Sequence, residues 1–511
     1  MKLNIKYTGK ILLIALVALG TGCKKFLAEQ DPSNLSPDTY YTIPEHGEAG
    51  VAAAYAQTRF IGNGAGIFVA NFSMLEMVTG TARTETGQNS DLNNLLGLSF
   101  NGENLLVRNW WAGLYNVIAQ TNQVTDKVPG ISPMDETRKA QIIGEAKFLR
   151  AWAYFYLVRL YGDVPLVTVP QTINSPDFYP TRTSTELIYK QIVDDLTAAE
   201  AAGLPWKVTS GTASKGAVKS LLAKVYLTMA GQPLNKGAAY YKLAADKSLE
   251  VINNGSFKLF DSYGDLHNIK KENDVEHIFE IQYLATVAAN PMQQLLLPNF
   301  KDVSAYSDEV GSTVPTTEFY ESFEPGDLRT KDREGFFYTS YYTGGNGALK
   351  QLNAPYIYKH FDSLAHGTFE VKGTTQSDLN WPQIRYAEVL LIYAEAQNRA
   401  DGAPNAEAYA AVNKIRKRAL LTELSGLGQT AFEEAVWRER WHELCYEGIT
   451  WFDMVRLRKV YNVKTQGFDN FVGHKFPASQ ATVLAEKHLL FPLPTVEVKN
   501  NPNLRPQNPG Y

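Results

Sequence analysis

The sequence is poor in cysteine. Two cysteines in 511 residues exclude a disulfide scaffold and any four-cysteine zinc or iron–sulfur centre. Neither sign of charge is in large excess. The 49 Lys and Arg stand against 53 Asp and Glu, a net charge of -4, so the basic surplus of a dedicated nucleic-acid binder is missing. With 44% hydrophobic and 20% charged residues, the chain has neither the apolar excess of a polytopic membrane protein nor the polarity of a disordered one.

Signatures of catalysis are missing too. His442-Glu443 opens like a zinc-protease helix, but Tyr446 stands where the second histidine is needed. There is no G-x-S-x-G elbow and no Walker-type loop. Gly62-Asn63-Gly64-Ala65-Gly66 is followed by Ile67 rather than the third spacing of a dinucleotide fingerprint. Asp91 and Asn93 begin like a calcium loop, and Leu95 breaks the pattern. Cys445, in a helix of mixed apolar pattern, reads as a buried inert thiol. Nothing points to a cofactor, a metal or a nucleophile. A pair of carboxylates able to cleave a glycoside is not excluded by spacing alone, so a surface glycan hydrolase stays as a rival reading.

What is present begins at the N-terminus. Lys2, Lys6 and Lys10 precede the apolar run Ile11–Leu19, which at nine residues is too short to cross a bilayer core of about 30 Å. It fits the apolar region of a signal peptide, residues 1–22. Gly20, Thr21 and Gly22 then lead to Cys23. This resembles a bacterial lipoprotein cleavage site, with glycine at the position that usually carries leucine. Cys23 is the expected lipidation site and first mature residue. Two or more acyl chains there would anchor the protein stably. Residues 24–37 read as a short tether.

The rest, 23–511, reads as one unit. Helical periodicity runs from about 104 to 255 (Trp110–Val128, Asp135–Tyr161, Ser184–Ala202, Ser214–Ala230, Gly237–Asn253), with Ser184 or Thr185 expected to cap the third. It returns from 384 to 460, as Ile384–Ala400, Asn405–Leu420, Gln429–Glu447 and Ile449–Val460. Ala151 to Leu157 is apolar nearly all round, which implies a buried helix, and Trp110, Trp152 and Trp451 are expected in the core. Small residues at close-packing positions suggest degenerate tetratricopeptide-like hairpins. Between about 256 and 382 the helical rhythm fades into Tyr-, Gly- and Asn-rich sequence, with one strand-like stretch at Ile278–Tyr283. The expected fold is mainly α, with an irregular loop-rich lobe inserted in the helical frame. Glu443 and Glu447, one turn apart, are expected to pair with Arg440 on a helix face. Prolines at 492, 494, 502, 506 and 509 favour an extended C-terminal strap over 488–511.

Four segments in order carry a resemblance: Glu145–Val167 (EAKFLRAWAYFYLVRLYGDVPLV), Ile384–Arg399 (IRYAEVLLIYAEAQNR), Arg438–Arg456 (RERWHELCYEGITWFDMVR) and the C-terminal Leu489–Tyr511. With the leader at Cys23, they make the chain similar to the SusD/RagB family of outer-membrane nutrient-uptake lipoproteins. The resemblance implies a non-catalytic protein on the outer membrane, facing the exterior, that binds an oligosaccharide and delivers it to a SusC-like TonB-dependent transporter barrel. Peptide uptake by the same arrangement is the alternative, and a repeat scaffold for protein partners is a third reading.

The resemblance also implies glycan contact through aromatic residues on variable loops, since sugar rings stack their C–H faces on aromatic faces while polar side chains meet the hydroxyls. Two clusters fit. Arg83, Gln88, Asn89, Asp91 and Asn94 form the first. Tyr306, Phe336, Tyr338, Tyr341 and Tyr342 form the second, with Trp381 nearby in sequence at an expected helix start. Tyr341 and Tyr342, beside Gly344, Gly345 and Gly347, are expected to project from a loop with no face to bury them.

Overall fold

Short polar side chains start the long helices. Asn104, Asp135, Ser214 and Asn405 each accept backbone N–H groups of the first turn, Asp135 from Arg138 at 2.8 Å and Asn405 from Ala408 at 2.8 Å. Each replaces a donor the helix leaves unpaired. In the computed structural model, which describes residues 37–64, 69–87, 89–298, 311–343, 347–367, 369, 377–477 and 483–511, the longer helices are α1 (Pro44–Gln57), α2 (Ser90–Leu96), α3 (Leu105–Lys127), α4 (Glu136–Tyr161), α5 (Thr185–Glu200), α6 (Lys215–Ala230), α7 (Ala238–Asn254), α8 (Tyr386–Asp401), α9 (Ala406–Arg418), α10 (Gln429–Glu443) and α11 (Thr450–Leu457). Gly255 and Gly402, both at φ 76°, end α7 and α8 in the left-handed conformation that glycine adopts without steric cost.

The fold is mainly α. Consecutive helices from α3 to α7 pack on one another, and α8 packs on α7, α9 and α10. The two helical runs seen in the sequence are therefore one continuous frame. Helix α4 lies inside it: every residue from Phe148 to Tyr161 is buried, as its all-round apolar pattern requires. Arg150 survives there because Asp195 of α5 takes it in two bonds of 2.8 and 2.7 Å. Trp110, Trp152 and Trp451 are core residues. Cys445 is a free, fully buried thiol, pushed up by burial to about 12.

Several boundaries differ from the sequence pattern. The α5 N-terminus is capped by neither Ser184 nor Thr185. The Asp163 carboxylate accepts from the Thr185 backbone N–H at 2.7 Å and from its hydroxyl at 2.8 Å. Ile384 and Arg385 belong to a strand, not to α8. Helix α10 stops at Glu443, because Tyr446 and Gly448 turn the chain at φ 62° and 70°. The stretch read as one helix to Val460 ends at Leu457 and continues into a hairpin, β7 (Lys459–Asn462) with β8 (Gly467–Asn470). The strap is not extended throughout: Thr495–Asn500, which contains no proline, forms a helical turn and a half.

The remaining strands are β1 (Ala82–Arg83), β2 (His277–Ile281), β3 (Val314–Pro315), β4 (Phe337–Thr343), β5 (Ala348–Ile357) and β6 (Trp381–Arg385). They pair antiparallel as β1–β3, β2–β6 and β4–β5. All five residues of β2 are buried, so the alternation read at 278–283 does not mark an exposed face.

A buried ion network joins these parts. Glu443, at the end of α10, receives Arg329 at 3.2 Å, Arg385 of β6 at 2.7 Å and Arg418 of α9 at 2.7 Å. Arg385 and Arg418 share Glu276, the residue before β2, at 3.0 and 2.6 Å. Arg329 also holds Asp327 and Glu439 at 2.7 Å each. Glu447 lies past the helix end and binds Arg385 and Lys359. The expected partner, Arg440, instead pairs with Asp453 of α11 at 2.8 Å. Once α10 ends at Glu443, Glu447 is off its face and the one-turn spacing no longer applies.

Burial alone would raise the Glu443 carboxyl, but Arg418, Arg385 and Arg329 outweigh it and hold it at about 2. Its unfolded value is about 4.3, so its contribution is complete above that pH and fades as pH falls toward 2. Glu443→Gln leaves three buried cations short of a partner and is expected to cost about 3–5 kcal/mol at pH 7. Urea unfolding checks this. The gap between variant and wild type should narrow in acid, and a gap unchanged between pH 7 and pH 3 would contradict it.

Candidate functional site

The loop-rich lobe brings the two sequence clusters together. Strand β1 pairs with β3 through Ala82 opposite Pro315 and Arg83 opposite Val314. The ladder continues in both directions: Thr316 N–H donates to Thr81 O at 2.9 Å, and Glu85 N–H to Gly311 O at 2.8 Å. The Glu85 carboxylate then accepts from Arg83 at 3.1 Å and from the Tyr356 hydroxyl of β5 at 2.8 Å. Burial, then the nearby Glu85 charge, push the Tyr356 hydroxyl well up, so it stays a donor.

Within the first cluster, local structure uses most of the polar groups. Asn89 caps α2 by accepting from Leu92 N–H at 2.9 Å. Asp91 accepts from Leu105 N–H at 3.2 Å. Both are spent on turns, because this stretch is the start of a helix rather than an open loop. Asn94 is exposed on α2, and Arg83 is half-buried beside Glu85. Gln88 lies outside the described residues, as do Tyr306 and Cys23.

The second cluster sits on the β4–β5 hairpin, and most of its rings point inward. Tyr338 and Tyr341 form a small core with Leu297, Val314, Leu352, Tyr356 and Phe361. Tyr338 stacks on Tyr356 with centroids 5.5 Å apart and donates its hydroxyl to Leu296 O at 2.9 Å. Tyr341 is 1% exposed. Contrary to the expectation of a loop with no face to bury it, the hairpin gives it one. A register shift between Tyr338 and Ser340 breaks the strict alternation of the strand, so Tyr338 and Tyr341 both face inward although they are three residues apart. Phe336 is buried against Tyr263, with the Lys359 ammonium 4.1 Å from its ring centroid. Trp381 opens β6, not a helix. It is buried between His360 and Phe72, at 4.2 and 4.9 Å between centroids. These four side chains are structural in this arrangement.

Tyr342 remains half-exposed. Its ring lies 5.6 Å from that of Phe369, which is 43% exposed. Arg333 stands behind them, its guanidinium 5.1 Å from the Tyr342 centroid and within 6 Å of the Tyr338, Tyr341 and Tyr358 rings. Its Nη2 donates to Ser340 O at 3.0 Å. Sequence reasoning missed Phe369 and Arg333. Neither sits in an aromatic run, and Phe369 reaches Tyr342 only through the fold. The arrangement presents an aromatic patch backed by a cation, with Asn94, Arg83 and Glu85 on segments tied to the same ladder. Among the described residues, no group of three or more His, Cys, Asp or Glu side chains is placed to hold a metal ion.

Two family models match the chain. One, described as the SusD family, covers residues 330–511. The other, described as starch-binding and associating with the outer membrane, covers residues 33–227. A crystal structure of a SusD superfamily protein from Parabacteroides distasonis is 38% identical, covers 94% of this chain and 100% of its own, and superposes with a TM-score of 0.86. SusD-like protein P2 of Formosa agariphila is 26% identical over 98% of this chain and 99% of its own. The starch-binding protein SusD of Bacteroides thetaiotaomicron is 24% identical, with 100% of each chain covered.

One buried acid fastens the loop that leads into the site. Glu76, on the short helix Ser73–Met77, accepts from Gly448 N–H at 2.8 Å through Oε1, while Oε2 has no hydrogen-bond partner among the described residues. Burial raises the carboxyl to about 7, the Gly448 N–H and Lys359 opposing it. A folded value above the unfolded one favours the native state at low pH, and that advantage is lost as pH rises through 7. Glu76→Gln keeps the acceptor and removes the charge. It should gain stability relative to wild type between pH 6 and pH 8.5, by on the order of 1–3 kcal/mol, read as the difference in denaturation midpoints. A pH-independent difference would refute the assignment.

Proposed function

This chain belongs to the SusD family, and we propose that it binds an oligosaccharide at the cell surface and passes it, without catalysis, to a TonB-dependent barrel transporter in the outer membrane. The family model for residues 33–227 is described as starch-binding and associating with the outer membrane, and a relative over the whole chain is a starch-binding protein. Both support a glycan ligand. The observation that carries its location is the Tyr342–Phe369 pair, accessible and backed by Arg333 on a lobe where Tyr338, Tyr341 and Tyr356 are committed to the core. An accessible ring face with a guanidinium beside it suits a sugar, which needs stacking and directed hydrogen bonds at once.

A glycan panel screened against the purified protein is expected to give at least one saturable oligosaccharide ligand, with no release of reducing ends. Replacing Tyr342 and Phe369 together by Ala should weaken that ligand by about 1–3 kcal/mol without lowering the unfolding midpoint, since neither ring belongs to the core. Phe178 and Tyr179, a second exposed aromatic pair 4.9 Å apart, serve as the control. Loss of binding in the Phe178→Ala, Tyr179→Ala double variant, with the Tyr342 and Phe369 variant intact, would move the site off the lobe.

The leader of residues 1–22, followed by Cys23, supports attachment by lipid. Cys23→Ser is expected to abolish incorporation of radiolabelled palmitate and release the protein from the membrane fraction. Full labelling of the variant would exclude this anchor.

A further inference from the structure

A cleft of about 1050 Å³ lies outside the lobe. It lies between the C-terminal part of α4, the start of α5, α11 and the C-terminal strap. Its volume is at the upper end for small-molecule sites. The cation at its wall is unusual. Arg159 is 8% exposed, and its guanidinium is held between two rings, 3.6 Å from the Phe155 centroid and 3.7 Å from that of Phe452. Its Nε donates to the carbonyl of Phe155 at 2.8 Å. Both faces and one edge are thus occupied by the protein. The two terminal nitrogens have no hydrogen-bond partner and no carboxylate within ion-pair distance among the described residues. Burial lowers its affinity for the proton to about 10, with Tyr156 and Tyr189 opposing. A cation left this way is under-compensated.

Charge around the cleft has the same sign. Arg458, Lys487 and Arg505 also line it, and none has a carboxylate within ion-pair distance among the described residues. Of the acids on its wall, Asp163 is spent capping α5, and Glu486 is exposed at the rim. Arg456 and Arg182 are already satisfied, the first by Glu395 and Asp453, the second by the strap carbonyl of Pro506 at 2.8 Å and Asn508 at 2.6 Å. The strap that closes the cleft is therefore fastened by a different arginine from the one left open.

We propose that this cleft is a second binding site, for a small ligand carrying an oxyanion group (carboxylate, sulfate or phosphate), with Arg159 as the fixed fork that receives it. A guanidinium whose faces are clamped presents its terminal N–H pair in one direction, the geometry that bidentate oxyanion recognition requires. The apolar walls supplied by Phe452, Tyr189 and Leu490 suit the body of such a ligand. None of the lining residues belongs to the loop-rich lobe, so the result is independent of the oligosaccharide reading.

The test is calorimetric titration of the purified full-length protein with inorganic sulfate, inorganic phosphate and D-glucuronate. At least one is expected to give a saturable isotherm, and the preferred arm identifies the headgroup. Arg159→Gln should weaken it about tenfold or more, with Arg159→Lys in between because it restores charge but not the fork. Should the Arg159 variants fail to fold, Arg458→Gly keeps the test open. It removes a second cation at a position with φ 55°, where glycine is tolerated best, and it should weaken binding in the same direction. No saturable heat with any of the three anions, or equal affinities in wild type and folded variants, would overturn the proposal.

Discussion

The constraint on which the rest of this structure depends is the compensation of Glu443. One carboxylate at the end of α10 is met by arginines from β6, from α9 and from the segment entering the lobe. These come from positions far apart in the chain, so the contact fixes how the frame and the inserted region meet. The side chains of Glu443 and its three arginines are almost wholly buried, and a buried charge without its partner is far more costly than an apolar substitute would be. The network therefore adds less net stability than its bond count suggests. It does penalise every arrangement in which one member is missing, and that penalty selects a single docking of the lobe on the frame. Lys359 extends the same logic by donating to the carbonyls of Glu443 and Cys445 at 2.8 and 2.9 Å, which places the end of β5 against the turn after α10.

A lobe fastened in this way can carry a binding surface on short, irregular strands. Its own core is small, seven residues of which three are tyrosines. Isolated two-stranded hairpins are marginal in water. The tyrosines that could have stacked on ligand are used instead to give the hairpin an interior. This explains why aromatic richness did not mark exposed rings: in a lobe without a helical face, rings are needed for packing first. The rings that packing does not use are Tyr342, beyond the register shift, and Phe369 on a neighbouring segment.

The frame was largely legible because its signals are local. Cap residues at 104, 135, 214 and 405, glycines at 255 and 402, and the all-round apolar run of α4 each act within a turn or two of chain. Where reading failed, the deciding partner was distant in sequence. Asp163 caps α5 from the preceding turn, 22 residues before Thr185. Helix α10 breaks at Glu443 although Leu444–Glu447 continues a plausible pattern, because the chain turns at Tyr446 and Gly448 and Arg385 of β6 holds both glutamates from outside the helix. Trp381 pairs into β6 opposite Ile281, a contact about a hundred residues long. The two candidate clusters were each visible in the sequence, but the bond that ties their segments together, Tyr356 to Glu85, links residues 271 apart and leaves no trace in either neighbourhood.

Arginine best separates structural from functional roles in this fold. Arg150, Arg329, Arg385, Arg418 and Arg456 are buried, and every one has at least one carboxylate within bonding distance. Arg333 has its charge spread over four tyrosine rings. Arg159 has two rings, one backbone carbonyl and, among the described residues, no acid within ion-pair distance. Cation–π contact compensates a desolvated charge by about 2 kcal/mol, whereas taking an ion out of water costs several. In a protein that elsewhere pairs its buried arginines so consistently, that shortfall beside an open cleft needs a reason. The position of Arg159 at the wall of an open cleft removes part of it, and an oxyanion would remove the rest. The pattern of pairing, more than the cavity's size, singles out this place.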